Sequence, residues 1–479
     1  MILSKKPSAS LRIGAAIALV LAPLLAAWAF ESTAISKAWS YAGMLFALLV
    51  LIWRDDLSKG SLHRFQWVTG IIAGFIAGGI ILAGYQARVN HVRMGEYDFF
   101  ALYLDAFVAW RGLDFYEPTN YQNAFNAIAP PFENVYWGFQ RNVLETGTKY
   151  PPPTLLLLAP FGALDRLPAH IAWVAGIWAS MLAATWLLWR KVLDSRSLFT
   201  LSALFALVLV SPGTRLNLEL EQMHFPALVF LLLAFIHRHR APAGLWIAVG
   251  TLVKPPIAAG ALYALRGRQW SSLTVLGIAT VLICSLSIFC FGWDVFTRFF
   301  TDNPNLRVSD SLYSENMNRS LLAHVIREFG WDFANGPPMG HPVFRLAAAL
   351  ITLITLVGVF LSKNRRDDHV YGLLFCFALL IYPGTQKHYA VLLLLPLLSF
   401  LHTAERDGVA RWFIALAALG IATCSASRTF LAVFAMWGTF LFMIALARVA
   451  GAQKKFNDPN YTPAILHHVT RLILRTNRH

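Results

Sequence analysis

The chain has 479 residues, of which 57% are hydrophobic and 14% charged, and its formal net charge is +15. Length alone would suggest two or three soluble domains. The mean hydropathy of +0.55 and uncharged stretches such as Ile13–Phe30, Leu273–Phe291, Leu346–Leu361 and Phe430–Ala447 instead match the length needed to cross hydrocarbon. A single water-surrounded core is excluded, and nucleic acid is not a partner that the basic excess calls for. Arg and Lys fall in short links between apolar spans, where they determine topology.

In chain order, the N-terminus carries Lys5, Lys6 and Arg12 before an apolar run too long for a signal peptide and without a clean small-residue cleavage site. It is expected to be a retained first helix that starts inside the cell. Spans are expected near 11–30, 37–53, 67–85, 170–189, 197–211, 223–236, 271–291, 343–361, 369–383, 388–402, 409–425 and 428–448. The fold class expected is an all-α integral membrane bundle of about twelve transmembrane helices. The whole of 1–479 then forms one polytopic domain, with outer loops at 86–150 and 292–342 and a basic cytoplasmic tail at 449–479. Cys284, Cys290, Cys376 and Cys424 lie inside apolar runs without CxxC spacing. They are expected to be small core residues rather than disulfides or zinc ligands.

Two apolar segments are irregular. Thr154–Leu164 is short and flanked by prolines, and Ala243–Leu265 is interrupted by Lys254-Pro255-Pro256. If neither crosses fully, the basic links 54–66, 190–196, 237–241, 266–270, 362–368 and 403–408 share the inner face. If both cross, the links between them invert, which fits the charge rule less well. Broken backbone at membrane depth is tolerated only inside protein or beside a water-filled cavity, so both segments are expected to be re-entrant and to line a site.

The first outer loop contains Phe99, Tyr103, Phe107 and Trp110 at helical spacing, which predicts an amphipathic helix along the outer membrane surface. Asp98 and Asp105, seven residues apart, share one face at roughly 10 Å separation. Asp98 suits a general base at the membrane rim or a helix N-cap, and the two roles are compatible. Asp105 is the rival base or a solvated surface group. Lys254, in the middle of an apolar run, costs roughly 2.5–3.5 kcal/mol on insertion scales and calls for a counter-charge, either a bound phosphate or a neighbouring carboxylate. Gln386, Lys387 and His388 follow Pro383-Gly384 in a short outer link, where imidazole and ammonium could hold an anion.

The link Ser211–His224 gathers Arg215, Asn217, Glu219, Glu221, Gln222 and His224. Without HExxH spacing it points to sugar hydroxyls or an ion pair with Arg215 rather than to metal. Asn318, in Asn316-Met-Asn-Arg-Ser320, is a candidate substrate contact. No Walker A, GxGxxG or DxD-type motif supports a nucleotide-sugar donor.

Taken together, these signposts resemble glycosyltransferase family 87, the polyprenol-phosphate-mannose-dependent α-mannosyltransferases. They are Asp98-Phe-Phe-Ala-Leu-Tyr103 with Gly112 and Tyr116, Tyr150-Pro-Pro before Ala159-Pro160, Glu221-Gln222 where the family usually has Gly-Gln, Gly250 with Lys254-Pro255, Asn318-Arg-Ser320-Leu321, and Tyr382-Pro with Lys387-His388. The resemblance spans about Asp98 to His388. It implies a GT-C bundle in a bacterial inner membrane, active on the outer face, moving a hexose, in that family mannose, from polyprenyl phosphate to a lipid or glycan hydroxyl with inversion. Asp98 would be the base and His388 would lie near the donor phosphate with Lys387 and Lys254, while Asp105, Tyr103, Glu221, Gln222 and Asn318 would contact substrate. No cofactor or metal is implied. The glycine-to-Glu221 change, and the lack of the usual Trp and acidic residue before His388, bear on which sugar and acceptor are used. A flippase or transporter of a lipid-linked sugar would predict an inverted repeat, and none is evident; a diphosphate-dependent glycan ligase is the other alternative.

Overall fold

The computed structural model describes residues 97–128, 150–301, 320–331, 338–362, 368–406 and 429–456, with single positions or short pieces at 47–48, 50–52, 147–148, 318, 414 and 418. The expected spans 11–30 and 67–85, most of 37–53 and of 409–425, most of the 449–479 tail, and much of the expected loops 86–150 and 292–342 lie outside the described residues. Among the described residues the fold is helical without strands: α1 (Tyr97–Trp110), α2 (Pro118–Ile128), α3 (Pro152–Leu158), α4 (Arg166–Leu187), α5 (Leu198–Val210), α6 (Pro212–Glu219), α7 (His224–Ile236), α8 (Pro242–Val253), α9 (Ala259–Arg266), α10 (Trp270–Phe291), α11 (Trp293–Thr301), α12 (Leu321–Phe329), α13 (Pro342–Leu361), α14 (Asp368–Ile381), α15 (Leu394–Arg406) and α16 (Thr429–Phe456).

Five stretches among the described residues are long and apolar enough to cross a membrane: Arg166–Val192, Trp270–Phe291, Pro342–Leu361, Lys387–Arg406 and Phe430–Arg448. Three of the other expected spans correspond to α5, α7 and α14, of 13, 13 and 14 residues. At 1.5 Å per residue each reaches only about 20 Å, short of a hydrocarbon core of about 30 Å. The expected count of twelve crossings is therefore not established. Helices α10 and α13 present the surface that lipid would cover, with Phe289, Leu282, Phe360 and Leu346 all strongly exposed. Cys290 is exposed on α10 while Cys376 is buried in α14, so the core placement expected of the cysteines fails for Cys290.

The interrupted segment folds as its prolines dictate. Helix α8 ends at Val253, Lys254 is extended at φ −146° and ψ 113°, a short 3-10 turn covers Pro255–Ala258, and α9 continues. Proline at 256 has no N–H to give the carbonyl four residues back, and Thr154 supplies the missing donor, its hydroxyl lying 2.9 Å from Leu252 O. At the far ends, Gln269 Nε2 meets His239 Nδ1 at 3.3 Å, so the chain returns to the end from which it left and Lys254 marks the turning point. Arg238 pairs with Asp368 at 2.7 Å and Arg266 donates to Ser362 O at 2.8 Å, which bring Ser362 and Asp368 to that same end.

The opposite end is built on α1. Its packing differs from the surface helix expected: it is buried on nearly every side, with Trp110 exposed at its end. Gly162 permits this, since a Cβ there would come within 2.2 Å of Ala106 O. The 3-10 turn Ala159–Ala163 therefore presses directly on the α1 backbone. Tyr103 donates its hydroxyl to Leu164 O at 2.8 Å, and Tyr116 to Tyr150 O at 2.9 Å, pinning both ends of the short apolar segment to the α1 region. Arg298 on α11 pairs with Asp114, in the link between α1 and α2.

Candidate active site

Asp98 occupies the first turn of α1 rather than the N-cap, so the cap role expected of it fails, although an acidic side chain there still gains about 0.3–1 kcal/mol from the helix dipole. The side chain is buried and accepts a hydrogen bond from Gln222 Nε2. Gln222 belongs to the four-residue turn between α6 and α7, and its N–H donates to Asn217 O at 3.0 Å.

Glu221, immediately before it, adopts φ +54°, a conformation suited to glycine. Two contacts hold it there. His170 on α4 places Nε2 2.8 Å from both carboxylate oxygens, with the ring nitrogen as donor because a carboxylate only accepts. Trp173 Nε1 donates to Glu221 O at 2.8 Å. Phe99, next to Asp98, packs on the same two rings at 4.7 Å and 6.1 Å between centroids. Both sides of the Asp98–Gln222 bond are thus braced by α4. The Glu221 carboxylate is thus paired with His170, a partner that the sequence did not suggest.

Two residues beyond Gln222, a chain distance of at most about 7 Å, His224 opens α7. Its ring lies 4.4 Å from the His388 ring and 4.4 Å from that of Tyr389. Lys254 Nζ sits 5.0 Å from the Tyr389 ring centroid, a cation–π contact between the turning point of the broken segment and the short stretch Lys387–Leu393. Lys254 and His388 are both buried, and both act electrostatically on His224. An acid from the start of α1, the His388 imidazole and the Lys254 ammonium, from distant parts of the chain, therefore gather about the Gln222–His224 turn. Lys387 adjoins His388 and is half-buried.

Asp105 departs from expectation. It is buried, not solvated, and accepts the Tyr121 hydroxyl at 2.7 Å. Burial first, and then the Asp105 charge, push the phenols of Tyr116, Tyr121 and Tyr150 well above the ordinary tyrosine value. The hydroxyls of Tyr116 and Tyr121 thereby stay neutral donors, to Tyr150 O and Asp105, that anchor the loop after α1. Tyr103 has its hydroxyl committed to Leu164. Asn318 is fully buried and forms an antiparallel bridge with Gln386. Its Nδ2 donates to Pro383 O at 3.1 Å, Ser320 N–H donates to its Oδ1 at 3.0 Å, and Arg327 donates to its backbone carbonyl at 2.9 Å. In this setting Asn318 fixes the strand of chain leading to His388. The residues that sequence reasoning missed are His170, Trp173 and Tyr121. A histidine near the start of an apolar span was the one available signal for His170.

Residues 148–383, about half of the chain, match the model of glycosyltransferase family 87. Over this segment the protein belongs to glycosyltransferase family 87. It is accordingly a membrane glycosyltransferase. No curated protein and no solved structure matches the chain. The family 87 segment contains Glu221, Gln222, His224, Lys254 and Asn318, and it stops short of Asp98, Lys387 and His388. Those three join the family 87 portion through the contacts above: Asp98 through Gln222, His388 through His224, and the Lys387–His388 link through Asn318.

Proposed function

We propose that this family 87 enzyme transfers a hexose, with mannose the favoured sugar, from a polyprenyl-phosphate carrier to a hydroxyl of a lipid or glycan on the outer face of a bacterial inner membrane. In the reaction, Asp98 takes the proton of the acceptor hydroxyl, whose oxygen bonds to the anomeric carbon. The bond from that carbon to the phosphate oxygen breaks, the configuration inverts, and polyprenyl phosphate departs. Gln222, donating to the Asp98 carboxylate, orients the base. His388, Lys254 and Lys387 stabilise the charge accumulating on the phosphate, where preorganised donors contribute most.

The observation that carries this reading is the continuity from Asp98 through the Gln222–His224 turn to His388. A base and anion-binding groups held at the two ends of one short turn suit a direct displacement. Asp105, Tyr103, Glu221 and Asn318 serve as scaffold in this scheme, because their polar atoms are committed within the protein. The test is purified protein supplied with mannose, glucose or galactose on polyprenyl phosphate, or with the matching diphosphates, together with membrane-lipid acceptors. An α-linked product from a β-linked monophosphate donor is expected. Turnover of diphosphate donors alone would overturn the donor assignment.

A further inference from the structure

The α6–α7 unit carries polar groups that the displacement scheme leaves unused. Thr214 and Asn217 on α6 and His224 at the start of α7 are each 0% exposed. Thr214 Oγ1, Asn217 Oδ1 and Nδ2, and His224 Nδ1 and Nε2 have no hydrogen-bond partner among the described residues. Buried polar atoms are nearly always paired, because an unpaired one bears its full desolvation cost. Five such atoms within eleven residues therefore point to a polar guest.

The surroundings set the character of that guest. The His224 ring lies against His388 and Tyr389, Tyr389 is beside Lys254, and α6 is pressed onto the same stretch so tightly that a Cβ on Gly213 would stand 2.8 Å from Val391 N. The unpaired set offers one hydroxyl, two amide N–H groups and one imidazole N–H as donors, next to the Lys254 ammonium and the His388 imidazole. Neutral donors complete an anion site without placing another full charge beside Lys254, which would repel it strongly in a low-dielectric interior. The acceptors left over, Asn217 Oδ1 and one His224 nitrogen, suit hydroxyls of a sugar attached to the anion.

We propose that Thr214, Asn217 and His224 form the uncharged half of the site for the glycosyl phosphate group, which Lys254 and His388 complete. The inference rests on the lipid-phosphate reading above and assigns residues which that reading does not use. It predicts an unusual signature: removing an unsatisfied buried hydroxyl should help the empty protein while harming ligand binding.

The test is binding of farnesyl phosphate and of farnesol to the full-length protein in detergent. Wild type should bind the phosphate at least about ten-fold more tightly than the alcohol, as charge-assisted hydrogen bonds allow. Thr214→Val, Asn217→Ala, Asn217→Asp and His224→Ala should each weaken farnesyl phosphate about ten-fold and leave farnesol unchanged, with Asn217→Asp the most damaging because it adds like charge. Thr214→Val should also raise the melting temperature of the ligand-free protein. If Lys254→Met abolishes the preference for phosphate while the four substitutions preserve it, the lipid-phosphate reading stands and this inference falls. Equal binding of phosphate and alcohol by wild type would defeat both.

Discussion

Substituting His170 by alanine and Glu221 by glycine, singly and together, probes how the base is held. Glu221 sits at φ +54°, a left-handed conformation that costs a non-glycine residue about 1–2 kcal/mol. Its carboxylate contacts His170 at 2.8 Å, with the two side chains only 6% and 7% exposed. His170→Ala strands that carboxylate, and losing one partner of a buried pair costs about 3–5 kcal/mol. Glu221→Gly removes the carboxylate and the backbone strain together. It leaves an imidazole short of one hydrogen bond, a loss of about 1–3 kcal/mol offset by the relieved strain of about 1–2 kcal/mol. The double variant should therefore recover most of the His170→Ala loss, a coupling of about 2–3 kcal/mol. Melting of the detergent-solubilised protein, followed by tryptophan fluorescence, gives the order: wild type close to Glu221→Gly, the double variant next, His170→Ala lowest. Turnover should follow the same order, because Glu221 adjoins the Gln222 that holds Asp98. A double variant less stable than His170→Ala would refute the idea that the His170–Glu221 contact is what holds the left-handed backbone at this position.

The remaining predictions concern the supports of the site. Thr154→Val leaves Leu252 O without its donor, at a cost of about 1–3 kcal/mol, and should lower both melting temperature and turnover, whereas Thr154→Ser should preserve both; equal behaviour of the two would remove the role given to that hydroxyl. Gly162→Ala drives a methyl into Ala106 O, which would lie 2.2 Å away, and should abolish recovery of folded protein in detergent extracts. Because burial raises the phenols of Tyr116, Tyr121 and Tyr150, the unfolded chain gives up these protons first, near pH 10. Their contribution to stability is complete below about pH 10 and declines as pH rises towards the higher folded values. Alkaline melting curves should show that decline in wild type and a shallower one in Tyr121→Phe, and parallel curves would contradict it.

Much of the scaffold was legible because hydrocarbon is an unforgiving solvent. The long apolar runs became α10 and α13, and Lys254-Pro255-Pro256 marked the break because two missing N–H groups cannot be hidden in a helix. Asp98 and His388 were visible as charges at the ends of apolar stretches. Partners distant in sequence were not visible. Helical periodicity gave Asp105 a face but could not show that Tyr121, sixteen positions on, would cover it. The helix expected to lie on the membrane surface proved buried because its neighbours supply Gly162 at the point of closest approach. Glu221 was visible only as a departure from a glycine; its left-handed backbone and its contact with His170 were not, because they join residues 51 apart in sequence.

The most direct test of the central claim is the single-turnover rate of sugar transfer from polyprenyl-phosphate mannose by wild type and Asp98→Asn, at donor concentrations saturating for both. Asparagine keeps the shape of the aspartate and can still bond to Gln222, so farnesyl phosphate should bind both proteins equally. The transfer rate should fall by about 10²–10⁴, the range attributable to a positioned general base. An Asp98→Asn enzyme that transfers the sugar at the wild-type rate would contradict the account, whatever its affinity for the donor.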